Sequence, residues 1–291
     1  MKKIALSLIA IANMLYGEIV SAGEMETTNI SSNKWTGLYA GINAGYIFSD
    51  NKNVNIDPYL ISSGGSIPAT PLAIASAASA TNSFSLNNNG FIGGGQLGYI
   101  RNFHNHYVAG LEADIQGIAG ASQNGASTSN VPFLVFSAAS NLAVSKNIDY
   151  LGTLRGRLGY LLKPNLLISG SGGLSYGGVS SKTIIDQNLV GSPVDTEGAN
   201  LNWGTTGNYS NTRIGWTAGG NIEWMLRTNW SIKIEYLYYD LGTVTYNDGT
   251  LVDTYTATGA LPGQPIFTNG VNTTVHFNGQ FVRAGLNYHF A

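Results

Sequence analysis

The sequence predicts a closed, eight-stranded, antiparallel transmembrane β-barrel with four long outer loops and three short periplasmic turns. Eight segments alternate apolar residues with small or polar ones, as a strand does when its two faces meet different surroundings. The connections between these segments alternate between long and short, and aromatic residues gather at the segment ends. Barrels of the bacterial outer membrane combine these three features, which together indicate the fold class.

The last segment shows the alternation most clearly. One row of its residues is apolar throughout and consists of Val282, Ala284, Leu286, Tyr288 and Phe290. The other row is small or polar apart from its first member and consists of Phe281, Arg283, Gly285, Asn287 and His289. A soluble sheet could turn the apolar row inward. The aromatic end of that row and the charge on the other row favour lipid outside and a narrow polar lumen inside.

Seven further segments repeat the pattern, and each has about the length that a tilted strand needs to cross a bilayer. In chain order, the eight segments are residues 37–48, 91–103, 107–117, 148–160, 166–176, 212–224, 230–239 and 279–290. The short connections are residues 101–106, 163–165 and 226–229. The long connections are residues 49–89, 118–147, 177–211 and 240–274.

The lengths of the connections predict the direction of the strands. Outer-membrane barrels have short periplasmic turns and long outer loops, so we expect both chain ends and the short turns to lie in the periplasm. The long connections are rich in Ser, Ala, Asn, Gly and Thr and carry few charges. Two arrangements stay open for them: they extend the strands above the membrane, or they fold over the barrel mouth.

Aromatic residues predict two belts at the membrane interfaces, where amphipathic rings sit at the level of the headgroups. The inner belt is expected to contain Tyr99, Tyr107, Tyr160, Trp224, Trp230, Tyr288 and Phe290. The outer belt is expected to contain Tyr46, Tyr150, Tyr176, Tyr236 and Tyr238. A soluble β-sandwich, the alternative fold, would scatter aromatic residues through the centres of its strands.

Nine charged residues of the strands fall on the row that faces away from lipid. They are Glu112, Asp114, Arg155, Arg157, Arg213, Glu223, Lys233, Glu235 and Arg283. The interior of an eight-stranded barrel is just wide enough for side chains to fill it, and buried charges are costly unless they are paired. We therefore expect a lumen charge network that plugs the barrel. The alternatives are a selectivity ring in an ion pathway and catalysis by the paired carboxylates Glu112 and Asp114.

The first residues predict export. Lys2 and Lys3 precede an apolar run at 4–12, and small residues at 20–22 offer a cleavage site, as in a secretory signal peptide. We predict a signal peptide at 1–22, an N-terminal tether at 23–34 and an outer-membrane barrel domain at 35–291. No later stretch is apolar over the length that a transmembrane helix needs.

Composition excludes several classes of function. Charged residues make up 10% of the chain, against about 25% in typical soluble domains. The net charge is −2, so no basic footprint for nucleic acid is present. The chain has no Cys, which excludes disulfides and thiolate chemistry. We expect no catalytic residue, no cofactor and no metal site.

Four stretches carry a family resemblance: residues 35–46, WTGLYAGINAGY; 110–114, GLEAD; 154–160, LRGRLGY; and 283–290, RAGLNYHF. Together they resemble the porin-like surface-antigen family of alphaproteobacteria, which is similar to opacity proteins and to the OmpA membrane domain. The resemblance implies insertion into the outer membrane by the barrel-assembly machinery, immunodominant loops and, in some members, haem binding or adhesion. Ala291 departs from it, because members end on the aromatic residue that this machinery reads, and this predicts slightly less efficient recognition.

These observations predict a structural, surface-exposed outer-membrane protein that is not an enzyme. One alternative is a narrow porin that passes small solutes. Another is an adhesin or a haem-binding surface protein, for which His276, Tyr209 and Tyr255 are the candidate haem ligands. The expected partners are outer-membrane lipid, the assembly machinery and, through the loops, host surface molecules. The sequence gives no oligomeric state.

Overall fold

The computed structural model describes residues 32–49, 52–63, 69–87, 89–103, 106–134, 136–191, 202–254 and 265–290. The predicted signal peptide, most of the predicted tether, Tyr255 and Ala291 lie outside these residues. No helix in these ranges is long and apolar enough to cross a membrane.

The described residues form eleven strands, one α-helix and a 3₁₀ turn, Ser32–Trp35. The strands are β1 (Gly37–Ser49), β2 (Lys52–Ser63), β3 (Asn82–Leu86), β4 (Gly90–Phe103), β5 (Tyr107–Ala119), β6 (Gln123–Phe133), β7 (Phe136–Lys163), β8 (Leu166–Val190), β9 (Asn202–Met225), β10 (Trp230–Thr254) and β11 (Pro265–Phe290). The helix, α1, spans Ala69–Ala80 and lies between β2 and β3.

Eight of the strands form a ring. The order of pairing is β1, β4, β5, β7, β8, β9, β10 and β11, and β11 pairs again with β1. All eight predicted segments lie in these strands, and the pairings are antiparallel. The all-β class and a ring of eight strands are therefore confirmed, whereas the total number of strands is larger than predicted.

The long connections are not four loops: of the two arrangements left open for them, the structure shows the first, because most of their described residues continue the strands. β7 is 28 residues long and β8 is 25 residues long, so both continue far beyond the predicted segments. Short breaks separate three ring strands from the strands that extend them: β2 follows β1, β3 precedes β4, and β6 follows β5. Along β10 the inward side chains change from Lys233 and Glu235 to the apolar Val244 and Leu251. The apolar side chains thus change from the outward to the inward row of the strand near the predicted membrane boundary. A search for one continuous alternation ends at that point.

On the side of the predicted long connections, beyond the predicted membrane boundary, the ring divides into two sheets of four strands. The ladder between β9 and β10 ends at the pair Trp216 and Asp240, and the ladder between β4 and β5 ends at Phe91 and Ala119. Farther out, β6 pairs with β7 but not with β3 within the described residues. One sheet is therefore β6, β7, β8 and β9, and the other is β10, β11, β2 and β3. We call this half of the protein the extended end and the half with the short turns the turn end.

Three layers of buried side chains fill the interior. An apolar layer closes the turn end and consists of Trp35, Ile100, Val108, Leu161, Leu167 and Met225. A charged layer lies in the middle of the ring. A larger apolar core fills the extended end and includes Ile56, Leu142, Ile185, Leu251, Phe267 and Phe277.

Helix α1 is part of the core of the extended end, which corrects the prediction of a loop at 49–89. Its sequence, ATPLAIASAASA, has small or apolar residues on every side and so lacks the 3.6-residue period of a surface helix. Leu72 and Ala73 are buried in the core. The side chain of Gln187 on β8 donates to the carbonyl of Ser76 at 2.8 Å, and Asn269 on β11 donates to that of Ala73 at 2.8 Å. Apolar packing and hydrogen bonds to both sheets therefore hold the helix.

Tyrosine rings cover glycines on the outward face of β7 and β8. Gly152 pairs with Tyr176, and Tyr150 pairs with Gly178. A Cβ at Gly152 would lie 2.2 Å from the ring of Tyr176, so no larger residue fits under that ring. An aromatic ring over a strand glycine is a known way to stabilise a sheet at such a position.

We expect Gly152→Ala to destabilise the protein by about 1–3 kcal/mol, because the ring of Tyr176 must leave its position. Gly156→Ala on the same strand is the matched control: its Cβ would meet nothing nearer than the carbonyl oxygen of Gly172 at 3.9 Å. Urea unfolding in detergent measures both variants. Equal stability of the two variants would contradict the steric explanation.

Candidate functional site

The middle layer of the ring brings together eight of the nine predicted lumen charges. Two-residue periodicity places them inward, and the strand register places several opposite one another. Glu112 pairs with Arg155 across β5 and β7, and Glu235 pairs with Arg283 across β10 and β11. The eight residues, which we call the lumen network, are Glu112, Asp114, Arg155, Arg157, Glu223, Lys233, Glu235 and Arg283, and all are at most 5% exposed.

Arg155 is the most connected member of the lumen network. Its guanidinium donates to Asp114 Oδ2 at 2.8 Å, to Glu235 Oε1 at 2.7 Å and to Glu112. It also donates to the hydroxyls of Thr153 and Ser171 at 2.9 and 3.0 Å. One side chain from β7 thereby joins β5 and β10 across the interior.

Glu112 is the acidic counterpart of Arg155. It accepts hydrogen bonds from Lys233 Nζ at 2.8 Å and from Arg157 Nη1 at 3.0 Å. The hydroxyl of Tyr39 donates to Glu112 and accepts from Arg157 at 2.7 Å. Tyr39 belongs to β1, so this contact ties the first strand of the ring to β5 and β7.

Arg283 and Arg157 form the remaining ion pairs between strands across the interior. Arg283 donates to Glu235 Oε2 at 2.7 Å and to Asp114 Oδ2 at 2.7 Å. Arg157 donates to Glu223 Oε2 at 2.9 Å. Because the network contains four carboxylates and four cations, its formal charges cancel. Pairing of this kind is what offsets the large desolvation cost of buried charges.

Arg213 is not part of the lumen network, and its assignment there was wrong. It donates instead to the backbone carbonyls of Leu241 and Thr243, each at 3.4 Å. It lies just beyond Trp216, where the ladder between β9 and β10 ends, and its guanidinium bridges the two strands there. Arg213 lies on the same row of β9 as Glu223, but farther along the strand than the charged layer.

The aromatic residues predicted for the two belts all lie on the outward face, and each is at least partly exposed. Rings at the turn end contact one another across strands: Tyr107 lies 5.4 Å from Tyr160, and Trp230 lies 5.1 Å from Tyr288, between ring centroids. Their outward direction is the arrangement that the alternation predicts.

Sequence reasoning missed a group that seals the turn end. Trp35 is fully buried, donates from Nε1 to the carbonyl of Pro164 at 2.9 Å and meets the ring of His289 edge-on at 5.7 Å. His289 in turn stacks on Tyr39 at 5.4 Å and lies 2.9 Å from Ser231 Oγ. The only signal for this group in the sequence was Trp35, an aromatic residue two positions before the first strand.

A second polar cluster, also missed, lies in the core of the extended end. Thr273 on β11 donates to Asp248 Oδ2 at 2.6 Å, and Thr183 on β8 lies 3.0 Å from the same threonine hydroxyl. The hydroxyl of Tyr246 lies 2.9 Å from Thr183. Burial raises the pKa of Asp248 from 3.8 to about 6, and the hydrogen bond from Thr273 opposes the shift in part.

Because the folded state holds this proton more tightly, Asp248 contributes most stability below pH 3.8 and loses that contribution as the pH rises through about 6. We expect Asp248→Asn to remove this fall and to be more stable than the wild type at neutral pH by about 1–2 kcal/mol. Urea unfolding at a series of pH values measures it. The exposed Asp186→Asn is the control, and an unchanged pH slope in the Asp248 variant would contradict the assignment.

The two candidate haem ligands that the structure describes lie on opposite faces of their strands. His276 lies on the outward face of β11, where its ring nitrogens are 3.3 Å from Asp240 and 2.7 Å from Thr243. Tyr209 faces inward and packs against Tyr246 at 6.0 Å. Within the described residues, no group of three or more His, Asp or Glu residues could hold a metal ion.

No protein-family model matches the sequence. The sequence is 31% identical over 258 residues to the 31 kDa outer-membrane immunogenic proteins of Brucella melitensis and Brucella suis, and the match covers 88% of this chain and 84% of each relative. Solved structures that match the chain include OprG from Pseudomonas aeruginosa, with a TM-score of 0.38, 10% identity and coverage of 89% of this chain and 98% of that chain. Neisserial surface protein A has a TM-score of 0.28, 12% identity and coverage of 88% and 98%.

The match to the Brucella proteins covers more than two thirds of both chains. It confirms the family resemblance and the outer-membrane location that the sequence predicts. The chain therefore belongs to the family of the Brucella 31 kDa outer-membrane immunogenic protein.

Proposed function

We propose that this protein is a structural, surface-exposed component of the outer membrane, that its ring is a closed transmembrane barrel, and that it has no catalytic activity. The observation that carries the proposal is the filled interior. Two apolar layers and the lumen network between them occupy the space inside the strands. The carboxylates that could serve catalysis, Glu112 and Asp114, are instead bound to Arg155, away from any surface.

The proposed orientation places the turn end in the periplasm and the extended end outside the cell. Short turns suit the periplasmic side. The outward side chains of β10 change from Ile232 and Ile234 to Thr243 and Thr245 along the strand, as expected where it leaves lipid for water. Protease added to intact cells should cleave the extended end and leave the ring, seen as a shortened fragment that still migrates in a heat-modifiable way.

The filled interior argues against the narrow porin. We expect no conductance steps above background when the purified protein is added to planar lipid bilayers. Arg283→Gln provides the discriminating variant, since Arg283 lies in the middle layer and any ion path must pass that layer. Conductance steps whose ion selectivity changes in this variant would contradict the proposal and favour the porin.

Binding of a host surface molecule by the extended end is the second candidate function. Several large apolar side chains are exposed there, among them Tyr59, Leu60 and Ile61 on β2 and Ile74 on α1. The Brucella relatives are described as immunogenic, which agrees with an exposed outer part. Attachment of cells to host tissue should disappear when residues 52–86 are replaced by a short turn. Unchanged attachment with the shortened protein in the membrane would contradict this function.

A further inference from the structure

Four basic residues mark the rim of the turn end. Arg101 lies near the end of β4, Lys163 ends β7 and Arg227 lies in the turn between β9 and β10. Lys34 precedes β1. The last of these is half-buried and the other three are exposed. One cation therefore accompanies each short turn, and the fourth accompanies the start of the ring. We call these four residues the cationic rim.

No carboxylate among the described residues forms an ion pair with the cationic rim. Every exposed carboxylate in these residues lies at the extended end, namely Asp57, Asp149 and Asp186. Among the described residues, Glu223 is the carboxylate nearest in sequence to a short turn, and it is buried in the lumen network. Within the part of the chain that the structure describes, exposed charge is thus positive at the turn end and mostly negative at the extended end.

Three members of the cationic rim lie next to the inner aromatic belt. The guanidinium of Arg101 lies 5.3 Å from the ring centroid of Phe103. Lys163 follows Tyr160 by three residues, and Arg227 lies between Trp224 and Trp230. Aromatic belts sit at the level of lipid headgroups. Long basic side chains next to such a belt extend toward the phosphates, and the short turns keep them from reaching much farther.

We propose that the cationic rim binds the phosphate groups of anionic phospholipids in the periplasmic leaflet of the outer membrane. Coulomb attraction between exposed cations and an anionic lipid surface supplies the free energy. Because the four residues are spread around the ring, they select an annulus of anionic lipid rather than a single molecule in a pocket. The leaflet named here rests on the proposed orientation; the choice of lipid does not.

The test uses the folded protein in phosphatidylcholine vesicles that contain about one-fifth phosphatidylglycerol, a fraction that gives an anionic surface. Spin-labelled phosphatidylglycerol and phosphatidylcholine report the relative association of each lipid with the protein. We expect the wild type to prefer phosphatidylglycerol and the preference to weaken with salt. In the variant K34Q/R101Q/K163Q/R227Q, the ratio of phosphatidylglycerol to phosphatidylcholine association should fall at least about fivefold. This is the effect expected for roughly one charge at the surface.

Lys182→Gln is the matched control, because Lys182 is an exposed lysine of the extended end. It should keep the wild-type preference, and Arg227→Lys should keep it as well. Heat-modifiable migration shows whether the fourfold variant is folded; if it is not, the single variants K163Q and R227Q are each expected to lose part of the preference. Both leaflets of the vesicle contain the anionic lipid, so a wrong orientation changes the protease result but not this one.

Three results would overturn the proposal. The first is an unchanged preference in the folded fourfold variant, or in both single variants where that variant does not fold. The second is loss of the preference in Lys182→Gln. The third is a fourfold variant that keeps its lipid preference but no longer binds purified peptidoglycan sacculi, which the wild type binds. That result would assign the cationic rim to the cell wall. Every variant keeps Glu24 and Glu26 of the predicted tether, so that the variants differ from the wild type only in their basic residues.

Discussion

Arg283→Ala is expected to destabilise the folded protein by about 3–5 kcal/mol, the usual cost of removing one partner from a buried ion pair. Arg283 is 1% exposed and binds both Asp114 and Glu235. Its loss leaves negative charge in the middle of the ring without full compensation, since the remaining network has four carboxylates and three cations. Urea unfolding in detergent or lipid vesicles, followed by tryptophan fluorescence, measures the change.

Arg227→Ala is the matched control for that prediction, because it removes the same side chain from an exposed turn. We expect its effect on the free energy of unfolding to stay within about 0.5 kcal/mol, as for most surface substitutions. If Arg283→Ala unfolded at the same urea concentration as Arg227→Ala, the lumen network would not stabilise the ring.

Trp35→Ala is expected to cost about 3–5 kcal/mol, as large buried aromatic side chains do when they are truncated. Trp35 is fully buried in the apolar layer that closes the turn end. Removing it opens a cavity and leaves the carbonyl of Pro164 without the hydrogen bond from the indole. It also removes a contact with His289, which adjoins the last residue of the ladder between β1 and β11.

Trp35→Phe separates the two parts of this effect. Phenylalanine fills most of the cavity but cannot donate to Pro164, so we expect it to be less destabilising than alanine by about 1–3 kcal/mol. Urea unfolding of the wild type and both variants in one detergent gives the comparison. Wild-type stability of Trp35→Ala would show that the turn end is closed by other residues.

The membrane-crossing part of the fold could be predicted from the sequence because lipid imposes one strong rule. Outward residues must be apolar across the whole thickness of the bilayer, so Val282, Leu286 and Phe290 reveal their strand without any further context. The same rule placed Arg155 and Arg157 inside the ring. It could not set the depth of Arg213, because parity describes the side of a strand and not the position along it.

The extended end could not be predicted in the same way. There the outside is water and the inside is an apolar core, so the alternation reverses and is weakened by Ser, Thr and Asn. Helix α1 was missed because its Ala and Ser residues give it no amphipathic period. The contact between Trp35 and Pro164 joins residues that are 129 positions apart. Such contacts depend on the closure of the ring, which no local pattern records.

The accessibility of single spin labels on the strands tests most directly whether the ring faces lipid and has a filled interior. The sequence contains no Cys, so each cysteine variant carries one label. Labels at Leu286 and Ile234 should collide with oxygen dissolved in lipid and be shielded from a water-soluble paramagnetic reagent. A label at Arg157 should be shielded from both. Accessibility of Leu286 and Ile234 to the water-soluble reagent, or of Arg157 to lipid, would contradict a lipid-facing ring with a filled interior.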